Sequence, residues 1–170
     1  MKSLVFIFII FVTANAISED MIHNKQIRFF GKFDNFARWT SEHNNREKFV
    51  IGVLGFNPFG DKLKEYYASR TVSKRKVDIK EIESLDEIVN CHILYISQSA
   101  FTLEEVLKAS SGKGVLLISF EDGFAQKGVH LNYYLDNGKL RMELNPYASK
   151  RDGLNFKSNL IRAMRVVGTP

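Results

Sequence analysis

Phe49-Val50-Ile51-Gly52-Val53-Leu54 is an unbroken apolar run closed by Gly55. A run with no polar face suits a strand in a sheet covered on both sides. Gly55-Phe56-Asn57-Pro58-Phe59-Gly60 breaks the strand, and Asp61 to Ser69 reads as a helix with Leu63 and Tyr66 or Tyr67 facing inward. The pattern then recurs downstream. Val77 to Ile82 alternates apolar and charged residues, which predicts a half-buried edge strand, and Leu85 to Val89 reads as a short helical turn. Ile93 to Ile96 gives a third strand and Gly114 to Ser119 a fourth. Between them a helix over Leu103 to Ala109 starts at Thr102, with Glu105 three residues on in the capping-box arrangement. Strands alternating with helices in this way predict an α/β domain: a mostly parallel sheet with helices flanking both faces.

Toward the carboxyl end the pattern changes. Val129 to Leu135 and Lys139 to Asn145 flank Asn137-Gly138, a dipeptide suited to a two-residue hairpin because both positions need positive φ. An antiparallel hairpin is therefore expected to end the sheet. Asn145-Pro146 reads as the cap and first residue of a short helix stopping at Gly153, and Ser158 as the cap of a last helix through Leu160, Ile161, Met164 and Val167. Toward the amino end, Met21 to Trp39 reads as one amphipathic helix whose face carries Ile27, Phe29, Phe30, Phe33, Phe36 and Trp39, followed by a polar loop from Ser41 to Glu47.

Residues 1–16 have a different character. Lys2, the apolar stretch Leu4 to Val12 and Ala14-Asn15-Ala16 form the three parts of a secretory signal peptide, with cleavage expected near Ala16. The stretch is shorter than the roughly 20 residues that span a bilayer. The expectation is a soluble exported protein, residues 17–170, whose single domain of about 150 residues is large enough for one core. The chain carries a formal charge of +5, which loss of Lys2 lowers to +4. Outside the cytoplasm this mild excess points to an anionic surface or acidic protein partner, and no RNA-binding aromatic motif points to nucleic acid. Lys74-Arg75-Lys76 reads as a solvated turn.

A lone cysteine forms no disulfide within the chain, so stability must come from packing. Cys91 reads as a small buried hydrophobe, with an intermolecular disulfide or a reactive thiol as the other readings. Catalytic signatures are sparse. Cys91 and His92 are neighbours on a strand and point to opposite faces, and no Gly-x-Ser-x-Gly elbow occurs. His23, His43 and His130 lack the spacing of a zinc site, so no metal or cofactor is expected. In an open α/β sheet, ligands bind beyond the carboxyl ends of the strands. That rule gathers Asn57, Phe59, Ser97, Gln98, Glu121 and Asp122 into one candidate cleft for a small molecule. Arg141 and Glu143 share a strand face opposite Leu140, Met142 and Leu144, as an ion pair or as partner contacts.

The order of several segments carries a resemblance. Phe33-x-x-Phe36-Ala37-x-Trp39 is followed by the strand at Phe49 with Pro58-Phe59-Gly60, then by Ser84-Leu85-Asp86 and Cys91 to Ser97. Gly123-Phe124-Ala125-x-x-Gly128, Asn132 and Arg141-Met142-Glu143-Leu144-Asn145 complete the set, which spans nearly the whole mature chain. In this the chain resembles the YfiR family of exported bacterial proteins. The resemblance implies a small periplasmic α/β protein without enzymatic activity, often dimeric. Such a protein binds the periplasmic sensor domain of an inner-membrane diguanylate cyclase and represses cyclic di-GMP signalling and biofilm formation. Some relatives accompany sensor kinases instead. Phe33, Phe36, Trp39, Arg141 and Glu143 are the candidate partner surface here. Two departures stand out: family members with a redox response use paired cysteines, which this chain lacks, and Trp39-Thr40 replaces the family's Trp-Pro.

Overall fold

In the computed structural model of the chain, residues 19–169 are described; the leader read from residues 1–16 lies outside them. The strands are β1 (Ala37–Arg38), β2 (Lys48–Leu54), β3 (Thr71–Val72), β4 (Arg75–Ile82), β5 (Ile93–Ile96), β6 (Leu116–Ser119), β7 (Leu131–Asp136), β8 (Lys139–Leu144), β9 (Asn155–Phe156) and β10 (Arg165–Val166). Eight of them form one sheet in the order β10-β8-β7-β6-β5-β2-β4-β3, while β1 and β9 pair with each other. Strands β4, β2, β5, β6 and β7 are mutually parallel. Their order is second, first, third, fourth, fifth along the chain, a doubly wound arrangement whose topological switch falls between β2 and β5.

The apolar run that opened the reading is β2, with every residue after Lys48 buried. Its alternate side chains feed two cores. Phe49, Ile51 and Val53 face one layer, packed with a helix over 19–30 (α1) and with α3 (Lys62–Tyr67). Val50 and Leu54 face the other, under the 3-10 turn Leu85–Asn90 and α4 (Leu103–Ser110). Full burial of such a side chain contributes roughly 1.5–3 kcal/mol, so a strand that is apolar on both faces has one stable location, inside the sheet. Helix α4 begins at the expected place: the Thr102 hydroxyl accepts from the Glu105 amide, and Glu105 accepts from the Thr102 amide. The β7–β8 hairpin turns at Asn137 and Gly138 with φ of 49° and 72°. Asn145 caps α5 (Pro146–Arg151) by accepting from the Ala148 amide.

Several expectations are corrected. The helix predicted through Trp39 ends at Phe30, although its aromatic spacing runs on. The Tyr67 hydroxyl receives the Gly31 amide at 2.7 Å and donates to the Ile27 carbonyl at 2.8 Å, which anchors the helix end to α3. Phe33 to Asn35 form a 3-10 turn, and Ala37 and Arg38 are then drawn into pairing with β9. The polar loop contains a short helix, α2 (Ser41–Asn44), capped by Thr40, and His43 within it is buried.

The basic run is not a solvated turn throughout. Ser73 and Lys74 turn a small hairpin with φ of 46° and 66°, but Arg75 is on β4 with its side chain only 14% exposed. Strand β4 is one position in from the edge, although β3 covers only Arg75 and Lys76 of it. Nor does the hairpin end the sheet: β10 adds a parallel pair outside β8. The last helix, α6 (Ser158–Ala163), starts after Lys157 with no side-chain cap from Ser158, and it releases Met164 and Val167 to the segment around β10. Among the described residues no helix is long and apolar enough to cross a membrane.

Candidate functional site

The expected cleft at the carboxyl ends of the strands is divided. At the switch point the Phe56 amide donates to the Gln98 carbonyl at 2.7 Å, so the loops after β2 and β5 are joined through backbone. Phe59 is 2% exposed and packs edge-on to Phe30 and Tyr95. Asn57 organises its own loop, accepting from the Phe59 amide at 3.0 Å. Ser97, Gln98 and Glu121 do come together around a cavity of about 210 Å³ whose other walls include Phe101, Leu103, Val106 and Phe124. Neither Asn57, Phe59 nor Asp122 lines it.

The candidate partner residues also separate into two places. Phe33, Phe36 and Arg141 line one groove of about 520 Å³ together with Phe29, Leu140 and Met142 from the same side and Met164 and Arg165 from the carboxyl-terminal segment. This groove lies at the β8–β10 side of the sheet, where the continuation of the first helix as a 3-10 turn carries Phe33 and Phe36 across. Its rim is charged: the Arg141 side chain is 54% exposed and only 3.9 Å from Asp136, a loose pair. Leu135 and Val166 are exposed on the adjoining strands.

Glu143 is not on the surface. It is 2% exposed, accepts from the Asn132 amide group at 3.3 Å, and is paired with the guanidinium of Arg165, which lies over the Tyr134 ring. The shared face of Arg141 and Glu143 is therefore no mutual ion pair. Arg165, hidden in sequence within an expected helix, takes that role.

Trp39 belongs elsewhere, at the amino-terminal ends of the parallel strands. Its indole N–H donates to Asp34 at 2.9 Å, and its ring packs against Phe49, His43 and His92. Asp34 also binds the Arg75 guanidinium at 3.0 Å. The two histidines here are fixed by their partners. His92 Nδ1 accepts from the Val50 amide, so its proton is on Nε2 and is donated to the His43 carbonyl at 2.9 Å. His43 in turn donates Nε2–H to the Cys91 carbonyl at 3.0 Å and accepts at Nδ1 from the Thr40 hydroxyl. Burial holds both imidazoles neutral, lowering His43 and bringing His92 to about 4. Burial likewise pushes the Cys91 thiol up to about 12. Each of these groups is engaged or inert, and none is poised to accept a substrate proton or attack. Among the described residues no group of three or more His, Cys, Asp or Glu is arranged to hold a metal ion.

Comparison with known proteins adds to this geometry. The model of the family DUF4154, described as YfiR/HmsC-like, matches residues 24–164, which takes in the second half of α1, both cores and most of the groove. The chain belongs to the YfiR/HmsC-like family. No curated protein matches it. Among solved structures it is similar to the ABC domain in complex with L-Trp from Streptococcus pneumonia, with 9% identity and a TM-score of 0.50. That match covers 70% of this chain and 55% of the other, so the chain spans about half the length of that structure. At such identity the likeness concerns the fold alone. As a YfiR/HmsC-like domain, the molecule presents one apolar groove with a charged rim. Four of its lining residues, Leu140, Met142, Met164 and Arg165, were missed in sequence because the first two look like inward core positions and the others like helix.

Proposed function

We propose that this YfiR/HmsC-like protein is an exported, non-enzymatic regulator of the periplasm that binds the periplasmic sensor domain of an inner-membrane diguanylate cyclase and represses cyclic di-GMP synthesis. Family membership over 141 residues carries the reading. The groove of Phe36, Met142 and Met164, floored by the buried Phe33 and rimmed by Arg141, supplies a surface for it, since aromatic, methionine and arginine residues are enriched at protein interfaces. The form of the leader supports export. Regulation of this kind works by differential affinity: the protein binds the inactive cyclase better than the active one and shifts the population accordingly.

Reversal of the rim charge tests the surface. Arg141→Glu removes no buried contact, so the variant is expected to unfold with the wild-type midpoint and to bind the cyclase's periplasmic domain about tenfold more weakly, which is about 1.4 kcal/mol. Titration calorimetry with the isolated periplasmic domain of a cyclase from the same envelope measures it. Equal affinity in a folded variant removes this groove from the interface.

A further inference from the structure

The cleft beside Trp39 has no part in that reading, and its charge is unbalanced. It has a volume of about 590 Å³ and lies at the end of the molecule opposite the strand carboxyl termini, bordered by β1, α2 and the start of β4. Its charged walls are Arg38, Arg46, Arg75 and Lys157 against Asp34 and Glu47. Arg75 and Asp34 neutralise each other at 3.0 Å, and Asp34 has further donors in Trp39 and Ser73. Arg46 is paired with Glu42 at 3.0 Å, but Arg38 and Lys157 are not satisfied in this way. Arg46 uses Nη2 for Glu42 and the Val89 carbonyl, while its Nη1 is buried without a partner. Among the described residues Arg38 and Lys157 form no ion pair, although β1 and β9 hold their backbones side by side through the Lys157 amide and the Phe36 carbonyl. Two unpaired cations, Arg38 and Lys157, and the free Nη1 of Arg46 thus converge on one concave site that also holds the carboxylate of Glu47.

A buried guanidinium N–H left without a partner loses its hydration for nothing in return, and a bound anion restores the missing charge-assisted bond. We infer that this cleft binds a small polyanion, carrying two or more carboxylate or phosphate groups, held by Arg38, Arg46 and Lys157 over the Trp39 indole. The volume admits a molecule of metabolite size and not a folded partner. Glu47 repels a ligand whose negative charge is spread evenly, so anionic groups gather at the side of the three cations. The rigid floor of Trp39, Arg75 and Asp34 means that binding needs little rearrangement of the core.

Thermal unfolding of the mature protein with glutarate, citrate or inorganic phosphate, each against sodium chloride of equal ionic strength, tests the site. The expected result is a saturable rise in Tm of several degrees for at least one probe, at most a small fraction of which survives in Arg38→Glu/Lys157→Glu. The milder Arg38→Gln/Lys157→Gln pair, which leaves no new charge, reduces the rise and guards against a folding defect, since both side chains are exposed. Arg141→Glu, on the distant groove, retains the full rise. A carboxylate-only response identifies an organic acid as the ligand class, and a phosphate response identifies a phosphorylated one. No rise beyond the salt control with any probe, or a rise unchanged in both cleft variants, overturns the inference.

Discussion

Gly55→Ala is expected to destabilise the protein by about 2–4 kcal/mol, more than any other single methyl addition on the sheet's rim. Two effects add. Gly55 has φ of 87°, where a Cβ is strained, and that Cβ would overlap the carbonyl oxygen of Gln98, which is backbone and has no rotamer to escape into. Relief requires the loops after β2 and β5 to part, which breaks the bond from the Phe56 amide to Gln98 and exposes the top of both cores. Urea unfolding at neutral pH measures the loss. A midpoint within error of wild type would show that the switch point of this sheet is not closed by backbone contact.

Asp152→Ala is the second large effect, at about 3 kcal/mol. The carboxylate is fully buried and gathers three segments: the His130 ring before β7 at 3.0 Å, the Ser111 hydroxyl and Gly112 amide after α4 at 3.2 Å, and Arg151 at the end of α5 at 3.1 Å. His130 Nδ1 accepts from the Leu117 amide, so its proton is on Nε2 and points at Asp152. Burial alone would raise the Asp152 pKa, but the donors from His130 and Arg151 outweigh it and hold the carboxyl at about 2, against 3.8 unfolded. A depressed acid contributes stability that is present above pH 3.8 and lost as pH falls through 2. The exposed Arg151 partner screens part of it, leaving about 1–2 kcal/mol. Asp152→Asn keeps an acceptor and loses this charge contribution. Its deficit relative to wild type should be constant above pH 4 and shrink between pH 4 and 2. A deficit that ignores pH would mean the carboxylate is not ionised in the folded state.

The sheet was legible where each residue's surroundings are dictated by the strand itself. Phe49 to Leu54, Ile93 to Ile96 and Leu116 to Ile118 are apolar on both faces, and only an interior parallel strand satisfies them. Asn137-Gly138 and Thr102 with Glu105 are local devices whose geometry needs no distant partner. What failed depended on distant contacts. The spacing of Phe29, Phe33 and Phe36 continues past Phe30, but the end of α1 is set by Tyr67, and the start of β1 by β9. Arg75 looked solvated because its ligands, Asp34 and the His43 carbonyl, are 41 and 32 residues away. The same reason separated Trp39 from Phe33 and Phe36, which spacing had placed on one face. Glu143 looked exposed because its cation, Arg165, is 22 residues on, in a strand too short to show a pattern. The groove survived in part: Phe33, Phe36 and Arg141 converge, and the carboxyl-terminal segment completes it.

Repression of a cyclase is tested by cellular cyclic di-GMP in a strain lacking the gene, with complementation by wild type and by Arg141→Glu. The level is expected to rise on deletion, and wild type reverses the rise where the folded Arg141→Glu protein, at equal periplasmic level, does not. An unchanged cyclic di-GMP level on deletion, in conditions where the protein is expressed, would contradict repression of a cyclase.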